Sequence, residues 1–287
     1  MVKKTIGDAL KEGIALLNET LTESPGTNAR ALLCSVLGCD SLYLTVHRSD
    51  CLTENQIKDF EKLINRCAGG EPLAYILNRR EFMSIDFYVD ENVLIPRPDT
   101  EILCEEVIRN FDGKEPVIID MCTGSGAIAV SLAKYLPHAS VAGVDISENA
   151  LEIARKNAKN NSVDGRCIFL KHDIRKPFEG YMADCVVSNP PYIPTGVIDT
   201  LEKNVKDYEP HLALDGGGDG MIFYRAVTEN IRSCLKCGGM LAFEVGCGLH
   251  TPVKELMEND FENIRIVKDL AGIERVVLGF LKNHKTV

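Results

Sequence analysis

Val117-Ile118-Ile119-Asp120-Met121-Cys122-Thr123-Gly124-Ser125-Gly126-Ala127-Ile128-Ala129 reads as a buried strand, a turn of small residues and the start of a helix. Glycines in the turn let a ligand approach the backbone closely, and the start of the helix offers amide N–H groups without intrahelical partners. This is nucleotide-binding geometry and implies an α/β fold built on a parallel sheet. Counted from Gly124, Gly126 and Ala129 also satisfy the dinucleotide pattern G-x-G-x-x-G/A, so the loop alone leaves NAD open.

The acids around the loop narrow the choice. Asp120 closes the strand just before the turn, where a carboxylate repels a pyrophosphate and attracts the ammonium group of a methionine moiety, directly or through water. Asp145 closes the next apolar run, Val141-Ala142-Gly143-Val144, where it can accept from both ribose hydroxyls. Asp173 follows Phe169-Leu170-Lys171-His172 and can accept from an adenine amino group. Any one of these acids would also suit a plain strand end. Together with the glycine loop they describe a pocket for an uncharged nucleoside with a cationic, amino-acid-like tail, and S-adenosylmethionine, with S-adenosylhomocysteine as its product, is such a molecule.

Outward from the loop, further apolar runs at Cys167-Ile168-Phe169-Leu170, Cys185-Val186-Val187 and Met240-Leu241-Ala242-Phe243 alternate with helical stretches, as a parallel sheet covered on both faces demands. The link between Ile264-Arg265-Ile266-Val267 and Val276-Val277-Leu278-Gly279-Phe280 is too short for a helical crossover, so the sheet should end antiparallel. Toward the amino terminus only helices are expected. Ile6, Leu10, Ile14 and Leu17 form one stripe, Leu32, Leu33, Val36 and Leu37 a second, and Ile57, Phe60, Leu63, Ile64 and Cys67 a third, opened by the capping box Thr53-Glu54-Asn55-Gln56 and closed by Gly69-Gly70. Phe82, Ile85, Phe87 and Val89 then alternate, before a turn at Asp90-Glu91-Asn92 and the run Val93-Leu94-Ile95, which predicts a β-hairpin. The expected organisation is a helical bundle over residues 1–72 for substrate docking, a hairpin linker over 73–96 and a catalytic domain over 97–287.

Composition excludes several classes. The 287 residues are 45% hydrophobic and carry 32 basic against 42 acidic side chains, a net charge of −10 that repels nucleic acids and anionic membranes. No apolar run approaches the ~20 residues of a bilayer helix, and Met1-Val2-Lys3-Lys4-Thr5-Ile6-Gly7-Asp8 has no signal-peptide character, so a cytoplasmic protein is expected. A monomer is expected as well, though nothing in the sequence sets the oligomeric state. Eleven cysteines, an odd number mostly among apolar neighbours, read as reduced thiols. Cys234-Leu235-Lys236-Cys237 lacks the further ligands of a zinc site, and the six histidines have no metal or triad spacing, so no metal is expected.

Ser188-Asn189-Pro190-Pro191-Tyr192 directly follows a buried strand, which places it at the carboxyl edge of the sheet. These residue types suit methylation of a nitrogen whose lone pair is delocalised into a carbonyl or ring. The Asn189 side-chain oxygen and the Pro190 carbonyl can accept both NH2 hydrogens, Pro190 and Pro191 stiffen the backbone, and Tyr192 offers a flat face for a planar substrate.

Asn-Pro-Pro-Tyr after such a loop is shared by amino-methyltransferases of the S-adenosylmethionine-dependent, Rossmann-like class. Pro72-Leu73-Ala74-Tyr75-Ile76, Arg80-Glu81-Phe82, Leu94-Ile95-Pro96-Arg97-Pro98-Asp99-Thr100-Glu101, Tyr208-Glu209-Pro210, Ala213-Leu214 and Gly217-Gly218-Asp219-Gly220 narrow this further. Over nearly its whole length the chain resembles the HemK/PrmC family, the peptide chain release factor glutamine methyltransferases. The resemblance implies a Rossmann-like fold and transfer of methyl to the amide nitrogen of the glutamine in the Gly-Gly-Gln tip of class 1 release factors. It further implies that Asn189, Pro190, Pro191 and Tyr192 hold that glutamine. By the same resemblance Cys122, Thr123, Gly124, Ser125, Gly126, Asp145 and Asn189 contact the cofactor, while Arg97 and Glu101 belong to a second signature near the substrate. Two positions depart from the family pattern. Cys122 stands where the family usually has the first loop glycine, and Ile174 stands where relatives carry an aromatic over the adenine, leaving an aliphatic contact.

Two other readings use the same residues. An adenine-N6 nucleic-acid methyltransferase would apply Asn189, Pro190, Pro191 and Tyr192 to a flipped base, but would need a basic groove that no Lys/Arg-rich segment supplies. An NAD-binding oxidoreductase would use Asp145 but leave residues 189–192 without a purpose.

Overall fold

The computed structural model describes residues 4–20 and 22–283; residues 1–3, Leu21 and 284–287 lie outside it, and with them the first residues read for targeting and His284. Helix α1 (Ile6–Glu19) opens on a capping box between Thr5 and Asp8. Helix α2 (Pro25–Leu37) comes next, and α4 (Glu54–Ala68) opens on the predicted box between Thr53 and Gln56. Two short helices, α3 (Ser41–Val46) and α5 (Leu73–Ile76), leave no mark in the sequence pattern, because four to six residues span too few turns to show a period. Leu17, Ala29, Leu32, Leu33, Phe60 and Ile64 form the core of this part.

The hairpin lies earlier than its sequence pattern suggests. Strands β1 (Arg80–Phe82) and β2 (Ile85–Phe87) pair antiparallel around Met83 and Ser84, whose φ values are +51° and +55°, and Val93-Leu94-Ile95 is not a strand. A two-residue hairpin loop needs left-handed backbone at both positions, and here no glycine advertises it. The turn is held from outside: Tyr135 donates to the Met83 carbonyl at 2.7 Å, and Glu101 accepts from the Met83 amide at 2.7 Å. Asp90 does form a turn, accepting from the Asn92 amide at 3.0 Å, but the chain beyond it is irregular.

Helix α6 (Glu101–Phe111) then leads into the sheet: β3 (Val117–Met121), α7 (Ala127–Tyr135), β4 (Ser140–Asp145), α8 (Glu148–Asn160), β5 (Cys167–Lys171) and β6 (Ala183–Ser188). After a segment containing α9 (Lys203–Lys206) come α10 (Ile222–Asn230), β7 (Leu235–Glu244), α11 (His250–Met257), β8 (Phe261–Lys268) and β9 (Glu274–Leu281). The order across the seven-stranded sheet is β5-β4-β3-β6-β7-β9-β8. All pairings are parallel except those of β9, which is antiparallel to both β7 and β8, as the short preceding link predicts. Successive residues face opposite layers. Ile118 packs with Leu103, Val107 and Leu132, while Ile119 packs with Val186, Tyr224 and Phe243. Chain order reverses between β3 and β6, which leaves a crevice at their carboxyl ends.

The chain divides into two compact units: residues up to Asn78 together with Glu202–Tyr208, and Arg79–Leu201 with the segment from Glu209 onward. Within the first, Tyr208 donates to the Gly69 carbonyl at 3.3 Å. Within the second, Asn157 is fully buried on α8; it accepts from the Tyr88 amide at 2.7 Å and donates to the Tyr88 and Ser125 carbonyls at 2.9 Å each. It thereby ties the residue after the hairpin to the glycine loop. Asn157→Ala leaves these three backbone groups unpaired and is expected to cost about 2–4 kcal/mol. Asn157→Asp points a carboxylate at two carbonyls and should cost more, an ordering that urea unfolding of the two variants checks.

Candidate active site

The glycine loop is bent by three left-handed residues: Cys122 (φ +62°), Gly124 (φ +53°) and Gly126 (φ +79°). Only the first carries a side chain in this conformation, at a cost of about 1–3 kcal/mol that the surrounding structure must offset. The Thr123 amide donates to the Val144 carbonyl at 3.0 Å, which moors the loop to β4. A Cβ on Gly126 would meet the Ala154 Cβ at 3.0 Å, so this glycine permits the close approach of α8. At Gly124 a Cβ would meet nothing within 4 Å, which leaves its backbone open to a ligand.

Beneath the loop, Asp120 is completely buried; one carboxylate oxygen accepts from the Thr123 hydroxyl at 2.6 Å and the Ala129 amide at 3.2 Å, and the other has no partner. Burial pushes its pKa up to about 7, against the lowering effect of those two hydrogen bonds. At the end of β4, one oxygen of Asp145 accepts from the Gly124 amide at 2.9 Å and the other from the Ser147 amide at 3.0 Å. Burial raises this pKa as well. Each oxygen of Asp145 keeps a further acceptor site. Asp173 is held in a fork by Arg175, with two side-chain contacts of 2.9 Å, and that pairing keeps its pKa down near 2.

Cys122, Gly124, Asp145, Asp173, Ile174, Asn189 and Pro191 line one cleft with Asn92, Leu94, Leu212 and Phe223, enclosing about 900 Å³ that is partly open to solvent. Asp120, Thr123, Ser125 and Gly126 support the cleft without lining it. S-adenosylmethionine fits this donor set. Asp145 has spare acceptors for a diol, Ile174 and Phe223 offer apolar contact to a base, and the unpartnered Asp120 oxygen supplies negative charge under the loop. Among the described residues no group of three or more His, Cys, Asp or Glu side chains is arranged to hold a metal, and no helix is long and apolar enough to cross a membrane. All eleven cysteines are free.

Asn189 follows β6, whose last residue, Ser188, donates to the Met121 carbonyl at 2.6 Å. The Asn189 amide nitrogen donates to the buried Thr100 hydroxyl at 3.2 Å, which leaves its oxygen as the free acceptor. Tyr192 is clamped by glycines. A Cβ on Gly216 would lie 2.6 Å from the Tyr192 Cα, and one on Gly246 2.8 Å from its ring. The Gly216 amide donates to the Ile193 carbonyl at 2.8 Å, so the glycine-rich segment runs directly against residues 192–193.

Arg97 and Glu101, expected near the substrate, are both engaged by their own chain. Arg97 donates to Glu209 at 2.5 Å, Glu209 also accepts from the Ile95 amide at 3.2 Å, and Glu101 holds the hairpin turn. Asn157 and Glu244 are supporting residues that the sequence reading does not single out, whereas Thr100 and Glu209 fall inside the signatures Arg97–Glu101 and Tyr208-Glu209-Pro210 without a role of their own. Glu244, buried at the end of β7, repeats the strand-end signal that marks Asp120 and Asp145. Its pKa is pushed up to about 7 by burial, with the hydroxyls of Thr100 and Tyr192 and the charge of Arg275 pulling it down and Asp99 pushing it up.

A family model described as the PrmC N-terminal domain matches residues 8–77, and one described as the methyltransferase small domain matches residues 98–219. The chain is 40% identical over 277 residues to the release factor glutamine methyltransferase of Clostridium acetobutylicum, covering 95% of this chain and 97% of that protein. It is 39% identical over 283 residues to the release factor glutamine methyltransferase of Moorella thermoacetica, covering 98% and 100%. Among solved structures, the hMettl16 catalytic domain in complex with MAT2A 3'UTR hairpin 6 superposes with a TM-score of 0.57 at 14% identity, over 77% of this chain and 84% of that one. A methyltransferase from Pyrococcus furiosus superposes with a TM-score of 0.52 at 18% identity, over 69% and 90%. At these identities the structural likeness is one of fold alone.

The Arg97–Glu209 pair gives an asymmetric expectation, because the Glu209 side chain is 1% exposed and that of Arg97 is 36% exposed. Arg97→Ala strands a buried carboxylate at a cost of about 3–5 kcal/mol, whereas Glu209→Ala leaves a guanidinium that can rehydrate and should cost less. Burial raises the Glu209 pKa. The stranded charge therefore destabilises above that raised folded-state pKa, and the penalty is lost as pH falls through it. Denaturant unfolding should show Arg97→Ala as the less stable variant at about pH 8, with the gap narrowing toward about pH 5.

Proposed function

The chain belongs to the family of release factor glutamine methyltransferases, and we propose that it methylates the side-chain amide nitrogen of the glutamine in the Gly-Gly-Gln motif of class 1 peptide chain release factors, with Asn189, Pro190, Pro191 and Tyr192 holding that glutamine. The methyl donor is S-adenosylmethionine, which when bound supplies an electrophilic methyl group on a sulfonium centre. The observation that carries the reading is the orientation of Asn189, whose amide nitrogen is occupied by Thr100 so that its oxygen is left to accept from an incoming NH2 group.

A carboxamide nitrogen is a poor nucleophile because its lone pair is spread into the carbonyl, and no base near neutral pH is strong enough to deprotonate it. The task of the chain is therefore one of positioning. The Asn189 oxygen and the Pro190 carbonyl accept the two N–H hydrogens and aim the nitrogen, and the proline pair keeps them in place before the substrate arrives. Acceptors of partial negative charge also favour the positive charge that builds on the nitrogen as its bond to carbon forms. The nitrogen then sheds one proton, which alkylation has made acidic. Asp145 is assigned to the ribose hydroxyls, Asp120 to the ammonium end through the loop, and Asp173 with Ile174 to the adenine.

The helical unit is assigned to docking of the release factor and the enzyme to the cytosol, where its free thiols stay reduced. Net charge −10 supports a protein rather than a nucleic-acid substrate. Incubation with methyl-labelled S-adenosylmethionine should label an intact class 1 release factor and neither the same factor with its loop glutamine replaced nor unmethylated DNA. Label on DNA alone would overturn the assignment. Asn189→Ala should lower kcat by about 10²–10³, the scale for removing one preorganised hydrogen-bonding group, with binding of S-adenosylhomocysteine less affected than turnover.

A further inference from the structure

The segment that carries Thr100 is tied down at every second residue. The turn Pro98–Thr100 opens α6, and the Thr100 amide closes it by donating to the Arg97 carbonyl at 3.1 Å. Arg97 is held by Glu209, and Glu101 holds the Met83 amide. Asp99, between them, pairs with Arg275 on β9 at 2.8 Å. Thr100 itself is buried and meets Asn189, whose amide nitrogen donates to its hydroxyl at 3.2 Å. That is the long end of the range for N–H···O, so a small displacement of the turn opens the bond. Asn189 then loses the partner that keeps its nitrogen turned away from the substrate amide.

Arg275 is built as a clamp. Its guanidinium joins two carboxylates from different parts of the chain: Nη2 lies 2.8 Å from Asp99 Oδ2, and Nε donates to Asp269 Oδ2 at 3.0 Å. Asp269 is fixed in the turn between β8 and β9, where its other oxygen accepts from the Ala271 and Ile273 amides at 2.8 and 2.9 Å. The Arg275 backbone is fixed too, its carbonyl accepting from the Val245 amide at 2.8 Å just beyond β7. A planar guanidinium held through two of its nitrogens has a defined position that a single flexible charge lacks. Neither Asp99 nor Arg275 lines the cofactor cleft. With the Asp99 side chain 42% exposed, their pairing adds little to stability, and its main consequence is where it places the turn.

We propose that Arg275 is a positioning residue for the methyl acceptor: anchored on Asp269, it fixes Asp99 and with it the adjacent Thr100, so that the Thr100 hydroxyl stays opposite the Asn189 nitrogen and the Asn189 oxygen stays toward the substrate amide. The inference rests on the assignment of Asn189 to the glutamine amide. Arg275→Met removes the guanidinium and keeps an apolar stem. Arg275→Lys keeps a charge but has one nitrogen for two carboxylates. Asp99→Ala releases the turn from the clamp at a residue outside the cleft, and Thr100→Val removes the hydroxyl itself.

Two measurements on the full chain test the proposal. In steady-state assays on release factor, kcat should fall about 10- to 100-fold in Arg275→Met, Asp99→Ala and Thr100→Val, with Arg275→Lys intermediate. KM for the factor and Kd for S-adenosylhomocysteine should stay within about twofold, and Arg275→Met combined with Asp99→Ala should lose no more than either alone, since both break one clamp. In protein labelled with 15N-asparagine, the Asn189 side-chain NH2 signal, identified by its loss in Asn189→Ala, should move in Arg275→Met and Asp99→Ala toward its position in Thr100→Val. Unchanged kcat in Asp99→Ala, losses that multiply in the double variant, or an Asn189 signal indifferent to Arg275 would each overturn the proposal. A raised KM with kcat kept in Asp99→Ala would make Asp99 a direct contact of the factor and overturn it as well. Should Arg275→Met not fold, Asp99→Ala carries the test, and an Asn189 signal left in place by that variant overturns the proposal. A wild type that leaves release factor unlabelled while its Asn189 signal responds to Arg275 would sink the substrate assignment and leave the positioning role standing.

Discussion

The reversal of strand order between β3 and β6 is the constraint on which the cleft depends. From β3 the chain steps outward through β4 to β5; from β6 it steps the other way through β7. The loops leaving β3 and β6 therefore diverge, and the space between them cannot be filled by either. The residues assigned to the ligands sit at carboxyl ends around that gap: Asp120 near the end of β3 and the glycine loop after it, Asp145 at the end of β4, Asp173 beyond β5 and Asn189 after β6. Side chains that are far apart in sequence are brought to one edge by a parallel register in which Met121 lies level with Val144 on one side and Ser188 on the other.

That edge is electrostatically costly. Asp120 and Glu244 are buried and Asp145 is partly so, and burial raises the pKa of each. Asp120 and Asp145 serve the fold at the same time, because they hold backbone amides of the loop, the start of α7 and the turn after β4. Asp173 makes the contrast, because Arg175 neutralises it at the surface and its pKa falls instead. Hydrogen bonds to backbone amides partly offset the desolvation. Asp145 takes two, and Asp120 takes one from Ala129 besides the Thr123 hydroxyl. These same bonds fold the loop, so the groups that await a ligand also shape its cradle.

How much of the fold and the site is legible in the sequence depends on how far each signal travels along the chain. Strands buried on both faces announce themselves as continuous apolar runs, and the motif Asn189-Pro190-Pro191-Tyr192 is contiguous; both can be read directly. The hairpin turn cannot, because Met83 and Ser84 carry no glycine, and their left-handed backbone is sustained by Tyr135 and Glu101, 52 and 18 residues away from Met83. Arg97 and Glu101 read as near the substrate because their segment is a signature, but a signature does not say whether a side chain faces a ligand or its own fold. Glu209, 112 residues from Arg97, decides that for Arg97. Glu244 lies within reach of the rule that finds Asp120 and Asp145. The run Met240-Leu241-Ala242-Phe243 ends on an acid too, and Gly246-Cys247-Gly248 follows it, so the same signal stands there in the sequence.

Cys122 shows how the site absorbs a departure from the family pattern. A glycine would take its φ of +62° without strain, whereas a side chain there meets the cost of left-handed backbone. The mooring of the loop explains why the conformation survives: Thr123, the next residue, is held at its amide by Val144 and at its hydroxyl by Asp120, so the backbone at 122 has no freedom to relax. The Cβ and sulfur in turn pack against the apolar layer that contains Met121 and Tyr224, and burial pushes the thiol pKa well up, which keeps it an unreactive hydrophobe. The loop is thus shaped by the hydrogen bonds around it rather than by the residue at its first bend, which is why the cleft keeps a nucleotide-binding form with a cysteine in place of a glycine.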